Sequence, residues 1–211
     1  MQLKTFQYGW MAIFLAVFAW SVIGPHDYPT WALEVFPAAL GAAIIWYTRD
    51  SWPLTRLVYI LVLIHCIILM VGGHYTYAEV PLFDWIQEEF GQQRNNYDKL
   101  GHFVQGFVPA LVAREIVIRN KVFNSRGWRD FFVVCFCLGF SAFYELIEWW
   151  VALLSEEAAE SFLGTQGYTF DTQSDMMYAL VGAVLALLVL GKFHDRQLLA
   201  NGYVDPQAAS R

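Results

Sequence analysis

Charge is scarce in this chain. Only 15% of its 211 residues are Asp, Glu, Lys or Arg, against 57% hydrophobic and 18% aromatic residues. A soluble domain of this size carries roughly a quarter charged residues, so the composition excludes an ordinary water-facing surface and makes lipid the solvent. Cysteine is sparse too. Cys66, Cys135 and Cys137 all fall within apolar stretches, which excludes an extracellular disulfide framework. Cys135 and Cys137, two positions apart, point in different directions on a helix and do not suit a shared metal; all three are expected to be small buried apolar residues. The chain shows no internal repeat, no H-E-x-x-H, no G-x-S-x-G and no phosphate-binding glycine loop, so motifs do not decide whether it is an enzyme. A net charge of −6 with an acidic exterior excludes nucleic acid as a partner.

What is present is six apolar stretches, at about 5–23, 31–47, 54–72, 100–118, 131–153 and 175–193. A spanning helix needs roughly 17 to 25 residues, and an open sheet would leave backbone groups unpaired in hydrocarbon. The expected fold is therefore all-α: a polytopic membrane helix bundle of about six transmembrane helices, one integral membrane domain over 1–211. Of its Lys and Arg residues, Lys4, Arg49, Arg56, Arg114, Arg119, Lys121, Arg126, Arg129, Lys192, Arg196 and Arg211 fall at one set of helix ends. Arg94 and Lys99 fall at the other. Basic residues are retained inside, so both termini are expected in the cytoplasm and the loops near 24–30, 73–99 and 154–174 outside. No small-x-small cleavage site precedes "GPHDYP", and the first run is read as a retained helix rather than a signal peptide.

The outward loops carry the punctuation. In "GPHDYPTWALEVFP", His26, Asp27 and Glu34 read as interfacial residues. Leu82, Phe83, Ile86 and Phe90 recur at helical spacing opposite Asp84, Glu88 and Glu89, with Pro81 at a permitted start. They predict an interfacial helix at about 80–91, packed on the bundle or covering it. In the last loop Glu156, Glu157 and Glu160 read as a solvated acidic face. Gln166 sits in the turn-like "GTQG", and Asp171 or Thr172 is placed to cap the sixth helix. Tyr8, Trp10, Trp20, Trp31, Trp46, Tyr47, Trp52, Trp128, Trp149 and Trp150 lie near span ends, as interfacial anchors do.

Against this apolar background three spans carry polar stripes toward the outward side. In "SAFYELIEWW", Ser141, Tyr144, Glu145 and Glu148 share one helix face. In "YDKLGHFVQGFVPA", Asp98, His102, Gln105 and Pro109 share another, with Asp98 and Lys99 expected at the surface and His102 one turn deeper. In the sixth span Asp171, Asp175, Tyr178, Gly182 and Ala186 repeat the pattern, their small residues allowing close packing. A charged group in the bilayer costs on the order of 2.5 to 3.5 kcal/mol at the centre and needs a partner, a proton or a cation. The candidate catalytic residues are thus Glu145, Glu148, His102, Asp98 and Asp175. Candidate ligand-binding residues are Gln105, Tyr144, Gln166 and Asp171. His102, Glu145, Glu148 and Asp175 form a candidate metal set, because imidazole and carboxylates suit a hard or borderline divalent cation. His65 is read as structural and His74 as an outlying candidate.

The stretches "YDKLGHFVQGFVPALVAREI", "SAFYELIEWW" and "GTQGYTFDTQSDM" resemble the signatures of the YjdF-like bacterial inner-membrane proteins. That resemblance implies a multi-pass protein of the bacterial inner membrane and the same site residues, without an activity. More distantly, Asp98-Lys99, His102-Phe103, Glu145 and Asp175 with Gly182 resemble the VanZ-like pattern associated with teicoplanin resistance. This chain departs from that pattern at Glu148, where Gln is usual, and at Ala179, where Asn is usual.

Three functional classes fit these residues. One is an envelope enzyme or lipid-headgroup binder holding a divalent cation or a proton at the His/carboxylate site. Another is a small proton- or cation-coupled transporter, although the middle of the spans offers few polar groups beyond Gln105. The third is a non-catalytic envelope factor whose polar network only ties the helices together. Membrane lipid is the expected partner, with an envelope lipid or small molecule as ligand.

Overall fold

A computed structural model describes residues 3–154 and 166–204, all of the ordered elements among them helical. The elements are α1 (Leu3–Ser21), α2 (Tyr28–Thr48), α3 (Arg56–Tyr75), α4 (Pro81–Glu89), α5 (Tyr97–Arg119), α6 (Arg126–Leu154) and α7 (Asp171–Ala200). Glu156, Glu157, Glu160 and Arg211, on which part of the sequence reading rests, lie outside the described residues.

Each of the six apolar stretches is a long helix, and α2, α3, α5, α6 and α7 are long and apolar enough to cross a membrane. α1 has 19 residues and begins among polar ones, with Lys4 and Gln7 in its first turns. The helices overrun the apolar stretches at most ends, because hydropathy marks where lipid stops while backbone hydrogen bonding continues into polar residues. α4 is the short amphipathic helix expected near 80–91, starting with Pro81 at its first turn and burying none of its side chains. Its Phe83 ring stands edge-on to Tyr97 at 5.1 Å, which fixes it to the bundle rather than to lipid.

α5 is the axis of the bundle. Twelve of its side chains are buried, and it packs against α3, α6 and most extensively α7. The α5–α7 crossing is close because Gly106 lies on the Ala179 backbone and Gly182 on the Phe103 backbone, where a Cβ on either glycine would collide. α1 and α2 pack on the far side of α3. Pro37 in α2 and Pro109 in α5 each remove an intrahelical hydrogen bond, and both helices line a cavity at those residues.

Several surface assignments change in three dimensions. Trp10 is in the core, donating from its indole nitrogen to the Tyr59 carbonyl at 2.7 Å, so it is no interfacial anchor. Tyr8, Tyr47, Trp128 and Trp149 are exposed as anchors should be. Cys135 is exposed on α6, whereas Cys66 and Cys137 are buried. The sixth span is not capped by Asp171 or Thr172; Phe170 holds the cap position without a side-chain bond, and Asp171 is drawn into ion pairs instead.

Candidate functional site

Each polar stripe ends at the same end of the bundle, because the faces that carry them are the faces that pack. The buried residues of α6 are Val133, Cys137, Ser141, Glu145 and Glu148, a single stripe at helical spacing whose last two members are acids. On α5, Asp98, His102 and Gln105 face them, and on α7 Asp171 and Asp175 complete the ring. The structure thus brings Asp98, His102, Glu145, Glu148 and Asp175 together, as the sequence led one to expect.

His102 is the hub. Its Nδ1 lies 3.0 Å from Gln105 Oε1, so the Nδ1–H donates to the amide and turns Nε2 toward the acids. From Nε2 the distances are 3.3 Å to Asp98 Oδ1, 3.9 Å to Glu145 Oε1 and 4.0 Å to Asp175 Oδ1. Two sets of groups have ligand atoms all within 4.8 Å of one another: Asp98, His102 and Asp175, and His102, Glu145 and Glu148.

Fixed cations divide the two sets. Lys99 Nζ stands 2.6 Å from both Asp171 Oδ1 and Asp175 Oδ1 and 3.6 Å from Asp98 Oδ2, and Arg94 bridges Asp171 at 2.5 Å and Asp98 at 3.6 Å. The sequence reading put Asp98 and Lys99 at the surface and counted Arg94 and Lys99 only for orientation. Lys99 is instead 7% exposed and Arg94 9%. Burial of the lysine follows from the packing of α5 on α7, which sets two aspartates across from it.

No lysine or arginine pairs with Glu145 or Glu148 of α6 among the described residues; Glu145 has only His102 at 3.9 Å. Glu145 Oε1 is buried without a hydrogen-bond partner among the described residues, as is Ser141 Oγ. Glu148, 8% exposed, makes no hydrogen bond or ion pair among them. A buried carboxylate oxygen without a partner is expensive and rare, and it marks a place where a group beyond the described residues is expected to sit.

Glu34 belongs to this site and was missed as an interfacial residue. It is buried, accepts a hydrogen bond from the Tyr144 hydroxyl at 3.1 Å and faces the same cavity as His102 and Glu148. Its signal in the sequence is faint because it lies within two turns of the start of α2, where polar residues are common. Gln166 has both ends of its amide on the Asn95 backbone, at 3.0 and 2.9 Å, so its part is to fix the loop that aims Arg94. His74 is spent on the Ser21 carbonyl and the Trp20 ring, at the α1–α3 contact.

The cavity holds about 610 Å³ and is bordered by α2, α3, α5 and α6. At one end stand Glu34, Asp98, His102, Tyr144 and Glu148; from there it runs between apolar walls to Trp52 and Asn120. Tyr77 closes part of the polar end. Its backbone is left-handed, and its ring fits against Gly72 and Gly101, where any side chain would meet it. Burial pushes its hydroxyl well above the ordinary tyrosine range, so it meets the cavity as a neutral group.

A second polar cluster sits at the other end of α5, about 20 Å from His102 along the helix axis. Glu115 accepts from His194 Nε2 at 3.0 Å, from the Thr55 N–H and hydroxyl, and from Arg119 at 3.0 Å. Arg114 donates to His194 Nδ1 at 3.1 Å and pairs with Asp195 at 2.6 Å. Arginine only donates, so His194 accepts at Nδ1 and donates from Nε2. Here no carboxylate is left over, and the network ties α3, α5 and α7. No pattern in the sequence signals this network: Arg114 counts there only toward orientation, and His194 lies just beyond the apolar run of α7.

A sequence model described as "Predicted membrane protein (DUF2238)" matches residues 6–196. The inner membrane protein YjdF of Escherichia coli (strain K12) is 51% identical over 182 residues, covering 86% of this chain and 87% of that protein. These findings carry the YjdF-like part of the resemblance; neither concerns the VanZ-like part. No solved structure matches the chain.

Proposed function

This chain belongs to the DUF2238 family of predicted membrane proteins, and from that premise we propose that its outer polar cluster is a divalent-cation centre that holds the polar head of an envelope lipid. It is a multi-pass protein of the inner membrane. With the basic residues retained inside, the His102 end faces the periplasm.

The observation that carries this reading is Glu145 Oε1, which has no hydrogen-bond partner among the described residues and lies 3.9 Å from His102 Nε2, next to Glu148, which likewise has none among them. A divalent cation there would have His102, Glu145 and Glu148 as ligands, with Gln105 orienting the imidazole from its far side as ring partners of metal-bound histidines do. Three protein ligands leave coordination open for an oxygen of the headgroup. Asp98 and Asp175, already paired with Lys99 and, for Asp98, Arg94, are better suited to balance the charge of the site than to bind the ion.

The contrast with the Glu115 cluster disfavours a purely structural network, because bonding helices together requires no leftover acids. Transport is disfavoured by the cavity walls, which below the site offer a migrating ion little besides Gln105, His65 and Cys66.

Metal analysis of the purified protein tests the proposal. About one divalent cation per chain is expected, lost in folded Glu145→Gln and Glu148→Gln variants and retained in Glu115→Gln. A folded wild-type protein that carries no cation, and takes none up from added Mn²⁺ or Zn²⁺, overturns it.

A further inference from the structure

We propose that the apolar cavity below His102 is the seat of a single long aliphatic chain, and that its ligand is a one-chain lipid phosphate entering sideways from the bilayer between α2 and α6. The inference rests on the cation reading for the head of that lipid and on separate observations for its tail.

The tail argument begins with shape. Along α2 the lining runs from Glu34 to Thr48, fourteen residues or about 21 Å of helix. Spread over that length, 610 Å³ corresponds to a mean cross-section of about 29 Å², on the scale of one hydrocarbon chain. Its walls are chiefly apolar, among them Pro37, Ile45, Val62, Leu69, Val112 and Phe136, with His65 and Cys66 the polar interruption on the α3 side.

The opening is lateral. α2 and α6 both border the cavity without packing closely on one another. Ile44 and Phe140, one on each, are 54% and 42% exposed, on the surface that meets lipid. The Tyr144–Glu34 hydrogen bond is the single one joining these helices among the described residues, and it sits at the polar end, so a chain slides in beneath it.

The head argument is chemical. The end of the bore is where Glu148 projects beside His102, with no hydrogen bond or ion pair among the described residues. Bound to imidazole and two carboxylates, a divalent cation has its charge balanced and coordination sites open, and these take hard anionic oxygen, as a phosphate monoester supplies. An ammonium head would instead pair directly with the acids and need no metal.

Gly41 offers a clean test. It lines the bore, and a Cβ built on it meets nothing within 4 Å, so a large side chain there fills the cavity without displacing the core. Binding of hexadecyl phosphate to the full-length protein in detergent with Mn²⁺ present is measured by native mass spectrometry, alongside the metal content. Wild type is expected to bind one molecule, and Gly41→Phe to bind at least about tenfold more weakly with its metal unchanged, since several buried methylenes are lost. Gly41→Leu should fall between the two. Equal binding by a folded Gly41→Phe overturns the chain site, and tighter, metal-independent binding of hexadecylamine overturns the phosphate head. Should the protein prove metal-free while Gly41→Phe still blocks hexadecyl phosphate, the cation reading fails and the chain site stands.

Discussion

Tyr144 on α6 donates a hydrogen bond to Glu34 on α2 across 3.1 Å, joining residues 110 positions apart at the polar end of the cavity. The bond makes a crossbar over a groove whose sides otherwise stand apart. Tyr144→Phe should leave the fold intact, costing about 1 kcal/mol, and should speed exchange of a bound spin-labelled alkyl chain. Unaltered exchange in electron paramagnetic resonance would mean the crossbar does not guard the opening.

Lys99 is the fixed counter-charge for α7. Lys99→Met leaves Asp171 and Asp175 facing each other with Arg94 alone, and a cost of about 3 to 5 kcal/mol is expected from breaking a buried pair on one side. Denaturant unfolding in micelles measures it. A loss below about 1 kcal/mol would show that these aspartates do not depend on the lysine.

The two glutamate clusters should respond in opposite ways to the same chemistry. Glu115→Gln turns one of two acceptor oxygens in a complete network into a donor and removes its charge, and is expected to destabilise by about 2 kcal/mol or more. Glu145→Gln removes an uncompensated carboxylate and, measured without divalent cations, should be neutral or stabilising. Thermal unfolding in the presence of a chelator checks both, and the reverse order would make the His102 end the structural one.

Close helix contact decides whether the site assembles at all. Gly182→Val drives a side chain into the Phe103 backbone and separates α5 from α7, so the variant should accumulate poorly and lose the Lys99 ion pairs. Full yield and unchanged cross-linking between cysteines placed on α5 and α7 would contradict the packing described.

Asp27 supplies an acid-sensitive element outside the spans. Hydrogen bonds from Thr30 hold its carboxyl below its ordinary range, and it caps α2. A lowered folded-state value means that the cap's contribution is present above the unfolded-state value and is lost as pH falls through the folded one. Asp27→Ala should cost about 1 kcal/mol at neutral pH, whereas Asp27→Asn should keep the cap and remove its pH dependence. Unfolding midpoints across the acid range measure both.

The membrane class, the helices and most of the site were present in the order of residues alone. Apolar stretches of spanning length admit little besides helices, and a carboxylate kept within one, as at Glu145 or Asp175, is too costly to be idle. Helical spacing then places His102 with Asp98, and Glu148 with Glu145, on single faces. Tertiary structure decided which charges cancel, because Lys99 meets Asp171 and Asp175 across a gap of more than seventy residues that no local period records. It also moved Glu34 and Trp10 inside, joined His194 to Glu115 and opened a groove between α2 and α6. Periodicity fixes the direction of a side chain from its own helix; what stands opposite depends on how the helices pack, and in this bundle that packing separates compensated acids from uncompensated ones.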